Sequence, residues 1–180
     1  MSVQPARTAR TPRATEVVAA AGSILEAEGP DALTMRRVAD ELGIRAPSIY
    51  KHLPDKAALC SALVEDAFAQ LGAELHEAVD PADPTGSVAS LLAAYRRIGL
   101  EHPNLYRLAT VGPLSRDLLP DGLEEWAGTP FFLVTGEPHL AQALWAFAHG
   151  MVVLEIDGRF QDVSDLDRTW AQGAAAFAPS

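Results

Sequence analysis

Two short helical patterns abut a single glycine between Thr34 and Lys56, in the run TMRRVADELGIRAPSIYKHLPDK. Thr34 suits an N-cap, and Met35, Val38, Ala39 and Leu42 fall on one helical face. The first pattern ends at Glu41. A second runs from about Arg45 to His52 and stops before Pro54, with Ile49 inward and Arg45, Ser48, Lys51 and His52 outward. Only Leu42-Gly43-Ile44 separates the two, a tight turn with Ile44 placed to plug the angle. Two helices joined this closely can cross only at a steep angle, which leaves few folds open to the segment.

A short helix, a glycine turn and a second short helix match the helix-turn-helix motif, whose second helix enters the DNA major groove. The net charge of −10 argues against nucleic acid until it is divided. Residues 1–56 carry a net of +1 and residues 57–180 a net of −11, and both lysines of the chain, Lys51 and Lys56, lie in the first segment. An acidic body with a basic head can still bind a duplex. Arg45 can reach a guanine with two donors, and Ala46 and Pro47 offer apolar contact to thymine methyls. Ser48, Tyr50 and His52 can bond phosphates or bases, while Lys51 and Lys56 read as phosphate clamps. Lys56 also opens a helix, where free N–H groups favour an anion, and Thr34, with Arg36 beside it, can act likewise. Arg7, Arg10 and Arg13 form either an arm along the minor groove or a solvated tail.

The remainder reads as helical throughout. Residues 1–12 form a basic arm of low apolar content, expected to be disordered. Its arginines precede an Ala/Val-rich stretch that superficially resembles a signal peptide, but Glu16 interrupts it, so residues 12–28 read as a mature helix stopped by Gly29-Pro30. Residues 13–56 are the helix-turn-helix domain. Residues 57–180 form a second helical domain, entered through a connecting helix over 57–79 that Asp55 can cap. Val88, Leu91, Leu92, Tyr95, Ile98 and Gly99 make an amphipathic stripe. His102-Pro103 opens a further helix that ends at Gly112-Pro113. Residues 114–136 are broken by Pro120, Gly128, Pro130 and Gly136, and support only a short helix over Leu123–Ala127. Pro138–Phe160 reads as one long apolar helix with a stripe of small residues. Ser164 or Asp165 can cap a last helix to Phe177. No strand signal appears, so the fold class is all-α. No apolar run spans a bilayer. The single cysteine, Cys60, excludes a disulfide framework and a cysteine-rich zinc site and suits a reducing cytoplasm.

Over residues 13–60 the chain resembles the TetR family of bacterial repressors. The resemblance rests on an Ala-rich first helix and Gly29, then Leu33-Thr34-Met35, Val38-Ala39 and Leu42-Gly43-Ile44. It continues in Ile49-Tyr50-Lys51-His52-Leu53 and Asp55-Lys56-Ala57-Ala58-Leu59. Leu53 stands where the family often has an aromatic residue. Glu101–Leu108, Trp145, His149-Gly150 and Glu155-x-x-Gly158-Arg159-Phe160 resemble the WHG-type C-terminal effector domain; residues 114–136 match nothing by eye. The resemblance implies a ligand-responsive repressor bound as a dimer to a palindromic operator and released by an effector. It implies a homodimer through the 138–160 and 164–177 helices. It also implies an effector pocket among the helices between Val88 and Phe160, with the connecting helix as lever.

The residues available to such a pocket make the small-molecule effector lipophilic or aromatic. Tyr95, Trp126, Phe131, Trp145 and Met151 would supply walls, and His102, Tyr106, His149 and Glu155 polar anchors. Each anchor also has a structural reading: His102 as a helix cap, His149 bonded to a carbonyl, Glu155 paired with Arg159 at i+4. Nothing points to an enzyme or a cofactor. The chain lacks the zinc-protease, nucleophile-elbow and phosphate-loop motifs, and its five histidines have no metal-ligand spacing. The rival reading is a helical interaction protein that does not bind DNA.

Overall fold

The computed structural model describes residues 3–80 and 82–178, and among these every regular element is helical. The helices are α1 Pro12–Glu28, α2 Met35–Glu41, α3 Ala46–Ile49, α4 Lys56–Ala78, α5 Pro84–Glu101, α6 Pro103–Thr110, α7 Leu123–Thr135, α8 Pro138–Ile156 and α9 Leu166–Phe177, with a 3-10 turn at Arg116–Leu118. They form two compact units. Of the described residues, one unit, the head, comprises those within 5–68 and 102–123; the other, the body, comprises those within 3–4, 69–101 and 124–178.

The head departs from the division expected at residue 56, because it takes in the start of α4 and all of α6. Its core is Val17, Ala21, Ile24 and Leu25 of α1, Val38 of α2, Ile49 of α3, and Leu59 and Leu63 of α4. Leu105 and Leu108 of α6 pack against this core. A polar clasp completes the attachment. Helix α6 begins with Pro103, and His102 before it makes no side-chain cap bond. The free N–H groups of its first turn are instead met by Glu26 of α1, whose carboxylate accepts from Leu105 N at 2.7 Å and Asn104 N at 3.3 Å. Asn104 Nδ2 returns a bond to Glu26 O at 3.3 Å. A carboxylate at a helix N-terminus meets both the orphan donors and the positive end of the helix dipole.

In the body, the α5 stripe of Val88, Leu91, Leu92, Tyr95, Ile98 and Gly99 is buried as the periodicity requires, and α5 packs on α8 and α9. One carboxylate joins the three helices. Glu155 of α8, its side chain 6% exposed, accepts from Arg96 Nε at 3.0 Å and Nη2 at 2.8 Å. Trp170 Nε1 of α9 donates to its other oxygen. Arg96 also reaches Asp167 at 2.6 Å. The pairing of Glu155 with Arg159 expected at i+4 is replaced by this interhelical network.

Helix α7 corrects the expectation for residues 114–136: it continues to Thr135, through Gly128 and Pro130. Proline has no N–H to return to the carbonyl four residues back, here Trp126 O. His76 of α4 supplies the missing donor, its Nε2 lying 3.0 Å from that oxygen, and its ring stacks on the Trp126 indole at 4.9 Å. Helix α8 is shorter than expected, ending at Ile156. Gly158, at φ 58°, turns the chain so that Gly158 N bonds Glu155 O and Arg159 N bonds Leu154 O, a paired closure of the last helical carbonyls. Asp165, not Ser164, caps α9, accepting from Arg168 N at 2.9 Å.

Candidate nucleic-acid interface

The turn of the helix-turn-helix closes by the same device. Gly43 has φ 64°, Gly43 N bonds Asp40 O at 3.2 Å and Ile44 N bonds Ala39 O at 3.0 Å. These are the two bonds of a Schellman motif, and only glycine enters that backbone region without strain. Thr34 caps α2 by accepting from Arg37 N at 3.1 Å. Helix α3 is shorter than the expected Arg45–His52: it spans Ala46–Ile49 and then tightens into turns, with His52 N and Leu53 N both bonding Ile49 O. Pro47 stands in the first turn, where a proline removes no helical bond.

Most of the candidate DNA contacts are at the surface. Thr34, Arg36, Arg45, Pro47, Ser48, Tyr50, Lys51, His52 and Lys56 are exposed. Arg36 is 90% exposed, with its nearest carboxylate, Asp40, at 4.0 Å. Arg45 occupies the N-cap position of α3 but makes no side-chain cap bond. Ala46 is half-buried and packs against the head core, while Pro47 is exposed. Lys56 is exposed, but Asp55 already caps α4, its carboxylate accepting from Ala58 N at 2.7 Å, so the backbone donors there are partly taken. Arg37 is occupied. It binds Glu28 through Nε and Nη2 and Glu41 through Nη1 at 2.9 Å. The Arg37 bond holds the Glu28 carboxyl below the usual carboxylate range, and the two acids raise the Arg37 guanidinium.

The arm expected to be disordered is tied to α4. Arg10 donates to Ala62 O at 3.0 Å, to Glu65 at 2.8 Å and to Asp66 at 2.6 Å. Thr8 N donates to Glu65 at 2.8 Å, and Arg7 pairs with Asp66. Glu65 is 3% exposed, and a carboxylate so buried persists only with partners of this kind. Arg13 pairs with Glu16 at 2.6 Å. At the end of the arm, Thr11 caps α1 by accepting from Ala14 N, and the same Oγ1 lies 3.0 Å from His52 Nδ1. This contact crosses 41 residues, and nothing in the local sequence pattern announces it.

The nine effector candidates divide between the two units. His102 and Tyr106 belong to the head and the other seven to the body. Tyr95, Phe131 and Met151 are buried, with Tyr95 and Phe131 edge to face at 5.6 Å. Trp126 is held by His76. Trp145 is 47% exposed and stacks on His149 at 5.7 Å; burial lowers the His149 pKa. Glu155 is consumed by Arg96 and Trp170. A small pocket of about 140 Å³ adjoins that network, lined by Ala89, Leu92, Ala93, Arg96 and Trp170 among others. Among the described residues no group of acids, histidines and cysteines could hold a metal ion, and no helix is long and apolar enough to cross a membrane.

Known proteins share this organisation. Residues 17–63 match the profile of bacterial regulatory proteins of the tetR family. Residues 88–177, half of the chain, match that of the tetracyclin repressor-like C-terminal domain. An uncharacterized HTH-type transcriptional regulator, Rv0681 of Mycobacterium tuberculosis (strain ATCC 25618 / H37Rv), is 29% identical over 82% of the chain and 72% of its own length. The HTH-type transcriptional repressor DrrR1 of Streptomyces coeruleorubidus is 33% identical over 66% of the chain and 45% of its own length. A solved structure of a protein of unknown function from Rhodococcus sp. RHA1 superposes with a TM-score of 0.78 at 25% identity, covering 93% of this chain and 94% of that one. With both profiles in chain order on an all-helical fold that presents a helix-turn-helix, the chain belongs to the TetR family of bacterial regulatory proteins and is a transcriptional regulator, not an enzyme.

Proposed function

We propose that this regulator is a ligand-responsive repressor, a homodimer that binds a palindromic operator and is released by a small lipophilic or aromatic effector. The observation that carries the reading is the exposure of Arg36, Arg45, Lys51, His52 and Lys56 on the helix-turn-helix of an otherwise acidic chain. Arg45 reads a guanine edge. Pro47 meets a thymine methyl. Thr34, Arg36, Ser48, Tyr50, Lys51, His52 and Lys56 hold phosphates or bases. Acting on DNA places the protein in the cytoplasm.

One helix-turn-helix reads few base pairs, so two are needed on one operator. Helix α8 presents Ala143, Trp145, Ala146 and Leu154 to solvent, and α9 presents Ala171, Ala175 and Ala176. An apolar surface of this extent supports a four-helix contact between two copies. The effector would enter the body among α5, α7 and α8, beside the edge-to-face pair of Tyr95 and Phe131 and with buried Met151 on α8, and would bind the released form better than the DNA-bound form. Trp145, His149-Gly150 and Glu155 with Gly158-Arg159-Phe160 support a WHG-type effector domain. Helix α4, which contributes residues to both units, is the lever.

The test is a mobility shift on the promoter beside the protein's own gene. The wild type should bind, and Lys51→Ala with Lys56→Ala should abolish the shift. Six phosphate contacts per dimer give a slope of about −5 in log K against log salt. A wild type that leaves this duplex unshifted at low salt would favour the interaction-protein reading.

A further inference from the structure

We infer that Thr11 is a positioning residue for His52, fixing the imidazole with its Nε2–H directed away from the arm and available to a DNA phosphate. The inference rests on the DNA-binding reading above, but it makes a separate claim about the ring. Thr11 Oγ1 accepts from Ala14 N at 3.2 Å and lies 3.0 Å from His52 Nδ1. A hydroxyl carries one proton and two lone pairs. One lone pair is engaged by the Ala14 amide, which polarises the hydroxyl toward donating its proton, and Nδ1 is the acceptor in reach. A neutral imidazole that accepts at Nδ1 must carry its proton on Nε2. His52 is exposed, so that second nitrogen is left as a donor. A phosphate oxygen can only accept, and the opposite tautomer would face it with a lone pair.

The arm explains why Thr11 stands there. Arg10, the residue before it, makes three bonds to α4, to Ala62 O, Glu65 and Asp66. Pro12, the residue after it, opens α1 with a fixed φ. Thr11 is thus pinned from both sides. His52 is pinned through its backbone, His52 N bonding Ile49 O at 2.8 Å. A basic arm turned inward on its own acids makes little sense as a probe of the minor groove. It makes sense as a strut that holds the threonine against the end of the DNA-reading segment.

The experiment reads the ring and the operator separately. Long-range proton–nitrogen NMR of 15N-histidine-labelled full-length protein, at a pH where His52 is neutral, reports which nitrogen is protonated. The wild type and Thr11→Ser should show Nε2–H, and Thr11→Val a mixture of tautomers. Thr11→Asp still caps α1 but offers only acceptors when ionised, so it should move the proton to Nδ1. That variant keeps the test valid if Thr11→Val frays the helix. On the operator, His52→Ala should weaken binding on the order of tenfold per dimer. Thr11→Val and Thr11→Asp should each reproduce most of that loss by themselves and add nothing in the His52→Ala background. Thr11→Ser should bind as the wild type does. An unchanged tautomer in Thr11→Val and Thr11→Asp overturns the inference, as do losses that add to that of His52→Ala. A wild type that binds no operator overturns the functional reading and the use of the ring, while the spectrum still decides the ring's assignment.

Discussion

The His76 imidazole donates to Trp126 O at 3.0 Å, the carbonyl to which Pro130, lacking an N–H, cannot donate. Removing the ring as His76→Ala should take this bond from the carbonyl and unstack the indole, costing about 1–3 kcal/mol. Pro130→Ala restores the N–H that the helix lacks. The double variant should therefore lose less than the sum of the two single changes, and denaturant melts of all four proteins measure the difference. Additive losses would sever the two residues.

Gly72 lies one turn before His76 on α4, and the same indole rests against it. A Cβ there would stand 2.3 Å from Trp126 Cζ3 and 3.0 Å from Ala127 Cα. Alanine gains about 1 kcal/mol of helix propensity over glycine, but overpacking of this kind costs about 1–3 kcal/mol, so Gly72→Ala should destabilise on balance. At Gly128, in α7, an added Cβ would meet nothing within 4 Å, and Gly128→Ala should stabilise by up to about 1 kcal/mol. Opposite shifts in Tm check the pair, and a stabilised Gly72→Ala would refute the tight seat for Trp126.

Glu155 is the buried hub of α5, α8 and α9. Glu155→Ala leaves Arg96 with Asp167 alone and Trp170 Nε1 without its acceptor. Breaking a buried pair on one side is expensive; roughly 2–3 kcal/mol is expected here because Arg96 keeps one partner, and Tm should fall by about 5–10 °C. Glu155→Gln, which keeps an acceptor for the indole, should lose less.

Burial lowers the His149 pKa from its ordinary value of 6.5. The unfolded chain then binds a proton at higher pH than the folded one. The folded state's advantage is complete above about pH 6.5 and shrinks as pH falls toward the lower, folded pKa. His149→Gln should flatten that part of the stability profile between about pH 7 and 5. A variant with the wild-type slope in this window would assign the acid sensitivity elsewhere.

Ala146 is exposed on α8. Ala146→Arg places a charge in the proposed contact between copies while touching no core residue. The variant should melt as a folded protein, sediment as a monomer and lose operator binding, because two half-sites are no longer engaged together. A dimer of wild-type strength would move the interface away from α8.

The helix-turn-helix and the α5 stripe were legible because their signals are local. Gly43 and Ile44 sit in the turn they close, and Val88 to Gly99 repeat at the helical period. Helix α7 was hidden because Pro130 and Gly128 are genuine helix breakers, and the compensation comes from His76, 50 residues before the carbonyl it satisfies. The arm's ion pairs were hidden for a related reason. Composition shows three arginines, but only the fold brings Glu65 and Asp66 beneath two of them. The surroundings of the effector candidates were not legible, because periodicity tells which face of a helix is apolar, not which neighbour covers it: Trp145 faces solvent while Phe131 is enclosed.

The clasp between Glu26 and α6 bears on how the protein is made. The unit that reads DNA is not contiguous: it closes only when residues 102–123 join residues 5–68. During synthesis, the helix-turn-helix leaves the ribosome with the Leu105 and Leu108 side of its core still uncovered and Glu26 still facing water. A long stretch of further chain, the end of α4 and all of α5, must follow before α6 arrives to cover them. Domains generally fold as units as the chain emerges. Translation therefore delivers a finished DNA-reading head only after the residues up to about 123 have emerged.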